Sequence, residues 1–200
     1  MVNYWERAEY AKDIGEMKGL YLDCKGKIQR TNQMFDFFDQ NCSLDKISNV
    51  LEPGCNVGRN LEMAHKRYDC NVVGMDINEE AIGECKSRIG DIGEFHIKNM
   101  LSYSFEDYED NFFDLGITMG FLMHIAKGEQ KNKIVNGLLR SCRYVLMCEV
   151  YSVDADKEDA VFEDEHIVSW EDYSIYDNII DTGVCWGKNL KLYFYKGGSE

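Results

Sequence analysis

Short apolar runs alternate with helical patterns between about residue 45 and residue 150, and this alternation strongly constrains the fold. Five runs are predicted to be strands, at 47–52, 71–77, 94–98, 112–119 and 143–150. Between the strands, apolar side chains recur at helical spacing, as at Val57, Leu61, Ala64 and Tyr68. Such alternation is typical of β-α-β units, so we predict an α/β fold built on a mainly parallel sheet.

The two ends of the chain have different patterns. Residues 3–13 and 27–40 are predicted to be helices that precede the sheet. Near the other end, the apolar runs 179–186 and 189–197 are joined by a Gly-Lys pair, which favours a hairpin. A hairpin that closes a parallel sheet indicates that the final strand is antiparallel.

Composition argues against several classes of partner and of location. The net charge of −14, without a dense cluster of Lys and Arg, argues against a nucleic-acid partner. No apolar run reaches the roughly 18–20 residues that span a bilayer, and the charged N-terminus is unlike a signal peptide, so no membrane partner is expected. The eight cysteines form no C-x-x-C pair, which favours reduced thiols, a cytoplasmic location and no bound metal.

The stretch "NVLEPGCNVGRNLEMA" at 49–64 has the form of a strand end, a tight turn and a helix start. Gly54 and Gly58 permit positive φ or a close approach of the backbone, and Asn56 is one of the few other residues that tolerate left-handed conformations. The helix start favours an anionic group. Arg59 occupies the place where a dinucleotide loop requires its last glycine, which argues against a nicotinamide oxidoreductase.

"VLEPGCNVGRNL" resembles the first motif of class I S-adenosylmethionine (SAM) dependent methyltransferases. The acid that this family places after its second strand, to bind the ribose, matches Asp76 in "VVGMDIN", 24 residues beyond Glu52. "IKNMLSY" and "FFDLGITMGFLMHI" resemble the family's third and fourth strand ends. The resemblance covers residues 45–150. The segments "YWERAEYA", "GMDINEEAI" and "RYVLMCEVY" are more narrowly similar to the methylases associated with pseudaminic acid biosynthesis.

The resemblance implies a Rossmann-like three-layer sandwich with a seven-stranded, mostly parallel sheet and an antiparallel C-terminal strand. Residues 1–44 would supply helices that cover the cofactor and substrate site, and residues 45–200 would form the SAM-binding core. The implied SAM contacts are Glu52, Gly54, Cys55, Asn56, Gly58, Asn60, Asp76, Ile77, Asn99, Met100, Met119, Gly120 and Trp5.

Several of these residues have a plainer interpretation. Asp76 is also suited to cap the helix that begins near Asn78. Glu52 would either orient the loop by accepting its N–H groups or contact the amino group of the ligand. Asn99 and Met100 fit an ordinary loop as well as an adenine contact, and Ile77 fits the core equally well. The aromatic group Tyr4, Trp5 and Tyr10 suits either a lid or simple helix packing.

Methyl transfer from a sulfonium needs no enzyme nucleophile, so catalytic candidates are few. His124 would accept a proton from the methyl acceptor, or else it ends a short helix. Glu149 and Tyr151 end the fifth strand, where they either line the substrate pocket or lie at the surface. The acidic segment 154–172 around His166 fits a solvated loop better than a cation site.

The expected activity is transfer of a methyl group from SAM to a small molecule, such as a sugar or metabolite. The "NPPY" signature of many DNA amine methylases is absent after the fourth strand, where "TMGF" stands. A non-catalytic SAM-binding scaffold is the alternative. The acceptor, its reacting atom and the oligomeric state stay open at this point.

Overall fold

The computed structural model describes residues 22, 24–103, 105–125, 128–150, 173–186 and 190–197. Its helices are α1 (Lys25–Asn41), α2 (Arg59–Tyr68), α3 (Glu79–Ile89) and α4 (Glu129–Ser141). Its strands are β1 (Asn49–Pro53), β2 (Asn71–Asp76), β3 (Gly93–Ile97), β4 (Phe113–Met119), β5 (Cys142–Val150), β6 (Ile179–Trp186) and β7 (Leu190–Lys196). Each predicted strand and the predicted helix 27–40 are therefore present, with ends shifted by no more than two residues.

The strands form a seven-stranded sheet in the order β3-β2-β1-β4-β5-β7-β6. Strand β7 pairs antiparallel with both β5 and β6, whereas the β1–β2, β2–β3 and β4–β5 pairs are parallel. The predicted α/β class, with a mostly parallel sheet and an antiparallel C-terminal strand, is confirmed. The chain divides into two compact units, residues 1–100 and residues 101–200.

In the first unit, β1, β2 and β3 are joined by the crossover helices α2 and α3. Helix α2 packs on β1 and β2, and α3 packs on β2 and β3. Val50 and Leu51 in β1 are fully buried, which explains why this strand has consecutive apolar residues rather than alternation. Because parallel strands end at the same edge, the residues after β1 and β2 are brought together.

The second unit contains β4, β5 and the closing hairpin. Tyr144 of β5 stacks on Phe194 of β7, with ring centroids 5.8 Å apart. The β6–β7 register shifts between Asp181 and Cys185, as a bulge does. Along the described parts of the chain, none of the helices has both the length and the apolar character that a bilayer crossing requires.

Candidate functional site

The turn that follows β1 has three residues in left-handed backbone conformations. Gly54, Asn56 and Gly58 have φ values of 70°, 49° and 73°. The Asn56 side chain supports its own turn, because its Oδ1 accepts a hydrogen bond from the Val57 N–H at 2.7 Å. The sequence prediction that Asn56 serves where a left-handed residue is needed is thus confirmed.

Asp76, at the end of β2, is bonded to this turn. Its Oδ2 accepts the Asn56 N–H at 2.8 Å, and its Oδ1 accepts the Asn78 N–H at 2.9 Å. The cap of α3 is Asn78 itself, whose side chain accepts from the Ala81 N–H at 2.8 Å. Asp76 therefore fastens the turn to the end of β2, and the alternative in which it caps the helix is wrong.

The environment of Asp76 balances burial against hydrogen bonding. Burial raises the pKa of this carboxyl group, while backbone N–H bonds from Asn78, Asn56 and Ile77 act in the opposite direction. The turn is held to β2 a second time, because the Gly54 and Cys55 N–H groups both donate to the Met75 carbonyl, at 2.7 and 3.0 Å. These two amides are thus bonded within the protein.

Gly58 is the N-cap residue of α2 and is constrained in two ways. Its positive φ disfavours residues with a Cβ. A Cβ at this position would also lie 2.9 Å from Ile89 Cδ1 and 3.0 Å from Cys85 Sγ, both on α3. The absence of a side chain at Gly58 therefore allows α3 to pack against the turn. Cys85 contributes to the same contact by donating its S–H to the Asn56 carbonyl at 3.1 Å.

Glu52 is a buried acid with only half of its hydrogen-bonding capacity used. It is 2% exposed, and its Oε1 accepts from Asn60 Nδ2 at 2.6 Å. Its Oε2 is buried and has no hydrogen-bond partner among the described residues. Burial raises its pKa to about 8, and the Asn60 bond and the charge of Arg59 only partly oppose this rise. The alternative in which Glu52 accepts loop N–H groups is wrong, because its bonded partner is a side-chain amide.

Asn60 holds Glu52 in place through a small network. Its Oδ1 accepts from Thr31 Oγ1 at 2.7 Å and from Arg59 Nε and Nη2 at 3.2 and 3.0 Å. Both the oxygen and the nitrogen of the Asn60 side-chain amide are therefore hydrogen-bonded, and Asn60 positions the Glu52 side chain. Thr31 was not among the predicted site residues. Its one sequence signal is that it is the polar member of the otherwise apolar buried stripe of α1.

Arg88 is another contributor that the sequence pattern does not reveal. Its Nη2 donates to the Val57 carbonyl at 2.5 Å, and its guanidinium pairs with Glu62 of α2. A side chain from α3 thus secures the backbone of the turn and the helix that follows it.

The remaining predicted contacts of the first unit differ in exposure. Ile77 is partly buried, Asn99 is exposed, and Met100 is buried at the start of a short 3-10 turn. Asn99 is therefore accessible to a ligand, whereas Met100 also has a place in the core.

The second unit contains the predicted residues around the end of β4. Met119 and Gly120 are partly buried, and Gly120 has a φ of 62°. A short 3-10 turn follows at Leu122–His124, with the His124 N–H bonded to the Phe121 carbonyl at 3.1 Å. His124 thus ends a short helical turn and is partly buried.

Glu149 is fully buried near the end of β5, so the alternative of a surface position is wrong. Its Oε1 accepts the Phe121 N–H at 3.3 Å, and its Oε2 accepts the Leu122 N–H at 3.1 Å. Burial raises its pKa to about 7, although these hydrogen bonds oppose the rise. Glu149 is consequently a positioning residue for the 3-10 turn rather than a group exposed to substrate.

Several predicted residues lie outside the described part of the chain. They are Tyr4, Trp5, Tyr10, Tyr151 and the acidic segment around His166. Within the part that the structure describes, no group of three or more His, Cys, Asp or Glu side chains is arranged to hold a metal ion.

Comparison with known proteins gives one family match. Residues 50–144 match the family described as a methyltransferase domain, and this range contains the turn, Glu52 and Asp76. Among curated proteins, none matches the chain in sequence.

Solved structures share the fold at low sequence identity. The CurJ carbon methyltransferase has a TM-score of 0.68 at 12% identity, over 94% of this chain and 59% of its own. The [4+2]-cyclase SpnF has a TM-score of 0.56 at 17% identity, over 72% and 54%. The geranyl diphosphate C-methyltransferase from Streptomyces coelicolor A3(2), in complex with Mg²⁺, geranyl diphosphate and S-adenosyl-L-homocysteine, has a TM-score of 0.61 at 13% identity, over 84% and 76%.

These similarities differ in what they show. At such identities the solved structures show the fold, and this chain spans little more than half the length of the first two. The family match covers residues 50–144, a little less than half of the 200-residue chain, and it shows a likeness to the methyltransferase domain over that range. The narrower resemblance to the pseudaminic acid group stays a prediction.

Proposed function

We propose that this chain binds SAM in its first unit and transfers the methyl group to a small-molecule acceptor. The observation that carries the proposal is the bond between Asp76 and the Asn56 N–H, which fixes a carboxylate beside the glycine-containing turn. A ribose needs an acceptor for two neighbouring hydroxyl groups. The Asp76 oxygens accept the N–H groups of Asn56 and Asn78, and the Ile77 N–H also contributes; because a carboxylate has about four acceptor sites, acceptor capacity for the ribose remains.

The Glu52 side chain favours SAM, a nucleoside that carries an amino acid, over a nicotinamide dinucleotide. Its Oε2 is buried without a partner among the described residues, and a buried polar atom of this kind is costly unless a ligand satisfies it. The ammonium group of SAM is a donor of the matching charge. A nicotinamide dinucleotide has no ammonium group to donate hydrogen bonds, so the residues present fit SAM better than a nicotinamide cofactor.

The other SAM contacts rest on the sequence resemblance. We assign the adenine to Ile77, Asn99 and Met100, of which the exposed Asn99 has a side-chain amide suited to an exocyclic amine. Met119 and Gly120 remain predicted contacts of the second unit.

SAM supplies an electrophilic methyl group on a positively charged sulfur. The residues of this chain would bind and orient it and exclude water, and such alignment contributes several kcal/mol. A base is needed only where the acceptor must lose a proton, and we assign that role to the His124 imidazole. The charge of −14 favours a small acceptor over a nucleic acid.

Calorimetric titration with S-adenosylhomocysteine tests the cofactor assignment. Asp76→Asn keeps one oxygen but replaces the other by a donor, so we expect affinity to fall at least tenfold. Asp91→Asn is the matched control at an exposed aspartate, and it should bind as the parent does. The assignment fails if the parent protein does not bind S-adenosylhomocysteine, if Asp76→Asn binds equally well, or if NADH alone raises the melting temperature.

Transfer of a labelled methyl group distinguishes an enzyme from a SAM-binding scaffold. We expect label to move from SAM to a low-molecular-weight component of a cell extract, and His124→Gln to slow that transfer without changing S-adenosylhomocysteine affinity. Tight binding without transfer to any component would favour the scaffold. Transfer unaffected by His124→Gln would remove this histidine from the mechanism and leave the cofactor assignment intact.

A further inference from the structure

Basic residues come together where α1 contacts the start of α2. The Thr31 hydroxyl of α1 and the Arg59 guanidinium of α2 both donate to Asn60 Oδ1, at 2.7 Å and at 3.0 Å from Nη2. Thr31 also donates to the Lys27 carbonyl one turn earlier, at 3.1 Å. These bonds fix Arg59 beside the first turns of α1.

Lys27 and Arg30 lie on the same face of α1 as Thr31. Positions 27, 30 and 31 are three and four residues apart, which places them on one side of a helix. Burial lowers the pKa of the half-buried Lys27, and the charges of Arg59 and Arg30 lower it further. Two helices therefore bring three cationic side chains close to each other.

The charges along α1 run opposite to the preference of the helix dipole. Lys27 and Arg30 lie in its N-terminal half, which has no acid in the first turn, while Asp36 and Asp39 lie in its C-terminal half. The dipole favours acids at the start of a helix and bases at its end. The two aspartates are paired with Arg67 of α2. The N-terminal bases add to the positive end of the dipole, in a chain whose net charge is −14.

One nitrogen of this basic cluster has no hydrogen-bond partner among the described residues. It is the Nε of Arg30, which is buried. Arg59 is only 9% exposed, so its charge is poorly solvated. The planar guanidinium group can donate two parallel hydrogen bonds to a pair of oxygens of a carboxylate or phosphate.

We propose that Lys27, Arg30 and Arg59 form an anion-binding site that takes a carboxylate or phosphate group. The identity of the ligand rests on the proposed function, whereas the existence of the site does not. Two ligands of a methyltransferase carry such a group: the methionine end of the cofactor and an acidic acceptor. The site thus binds either the carboxylate of the cofactor's methionine end or the anionic group of an acidic acceptor.

Arg30→Gln tests the site, and Lys25→Gln is the matched control on an exposed lysine of the same helix. Affinities are measured by calorimetry for S-adenosylhomocysteine, for 5′-methylthioadenosine, which lacks the amino acid, and for inorganic phosphate with and without saturating S-adenosylhomocysteine. If the cofactor carboxylate is bound, Arg30→Gln weakens S-adenosylhomocysteine about tenfold, the effect of one charge-assisted hydrogen bond, and leaves methylthioadenosine unchanged.

If the anion belongs to the acceptor, S-adenosylhomocysteine affinity is unchanged and phosphate affinity falls about tenfold in Arg30→Gln. Equal affinities of parent and Arg30→Gln for both ligands would overturn the proposal, as would an equal loss in Lys25→Gln. Failure of the parent to bind S-adenosylhomocysteine would refute the proposed function alone. Phosphate binding to the free protein would still decide whether the site exists.

Discussion

Glu52→Gln is expected to abolish a proton release that accompanies cofactor binding. With a pKa of about 8, the buried Glu52 carboxyl group is about 90% protonated at pH 7 in the free protein. An ammonium group beside Oε2 stabilises the ionised form and lowers the pKa. If the bound pKa is near 6, about 0.8 proton leaves the protein at pH 7 for each ligand bound.

The same linkage fixes the pH dependence of affinity. Because the ligand favours ionised Glu52, affinity for S-adenosylhomocysteine should rise with pH between about 6 and about 8, by up to about tenfold per pH unit. The Glu52→Gln side chain would keep the bond from Asn60 but stay neutral at every pH. We therefore expect this variant to bind S-adenosylhomocysteine about 10- to 100-fold more weakly than the parent at pH 8, with little dependence on pH.

Stability should move in the direction opposite to affinity. The folded pKa of Glu52 is about 8, above its ordinary value of 4.5, so the stability it contributes is complete below pH 4.5 and is lost as pH rises through 8. A difference of about 3.5 between the two values corresponds to about 5 kcal/mol at most. Unfolding of the free parent protein in urea should show this fall, and Glu52→Gln should lessen it.

Calorimetry in buffers of different ionisation enthalpy measures the released proton directly. Glu79→Gln, at an exposed position of α3, is the control and should release the same number of protons as the parent. A parent protein that binds S-adenosylhomocysteine without proton release, and with one affinity from pH 6 to pH 8, would refute the reasoning. Glu52 would then face something other than the ligand's amine.

Three further changes test the packing around the turn and the role of the second buried acid. Gly58→Ala should lower the free energy of unfolding by about 1–3 kcal/mol, because its φ is positive and its Cβ would press on α3, whereas Gly83→Ala, with open space around it, should raise it by up to about 1 kcal/mol. Thr31→Val should cost about 1–2 kcal/mol in urea unfolding, since Asn60 loses a buried donor. Burial raises the pKa of Glu149 to about 7, so parent stability should fall from pH 4.5 to pH 7, and Glu149→Gln should lessen that fall; equal pH profiles would contradict this.

The fold and the backbone of the turn were predictable because their signals are local. Strand positions follow from apolar runs, and the hairpin follows from two such runs joined by two residues. Asn56 adopts the left-handed conformation that its side chain tolerates, and Gly58 is the N-cap residue of the helix. Asp76 ends the second strand, and the crossover helix between the two strands sets its distance in sequence from Glu52. In each case a few neighbouring residues contain the information.

The support of the site was not predictable, since it depends on pairs distant in sequence. Thr31 and Asn60 are 29 residues apart, and so are Cys85 and Asn56. No local pattern shows that these side chains meet, because the meeting depends on how α1 and α3 pack. Glu149 illustrates the same limit: a glutamate near a strand end suggests exposure, and only the folded chain gives it two backbone donors 27 and 28 residues away.

The two buried acids, Glu149 and Glu52, differ in how many of their carboxyl oxygens have hydrogen-bond partners, and this difference indicates different roles. Glu149 is completely buried, and each of its oxygens accepts a backbone N–H, so the chain itself accounts for the residue. Glu52 is almost as buried, yet one oxygen has a side-chain partner and the other has none among the described residues. Native proteins leave few buried polar atoms unsatisfied, because each costs about 1–3 kcal/mol. An acid that the chain buries, orients through Asn60 and then leaves half unbonded is most simply explained by a cationic ligand that completes it, and the amine of SAM has the required charge.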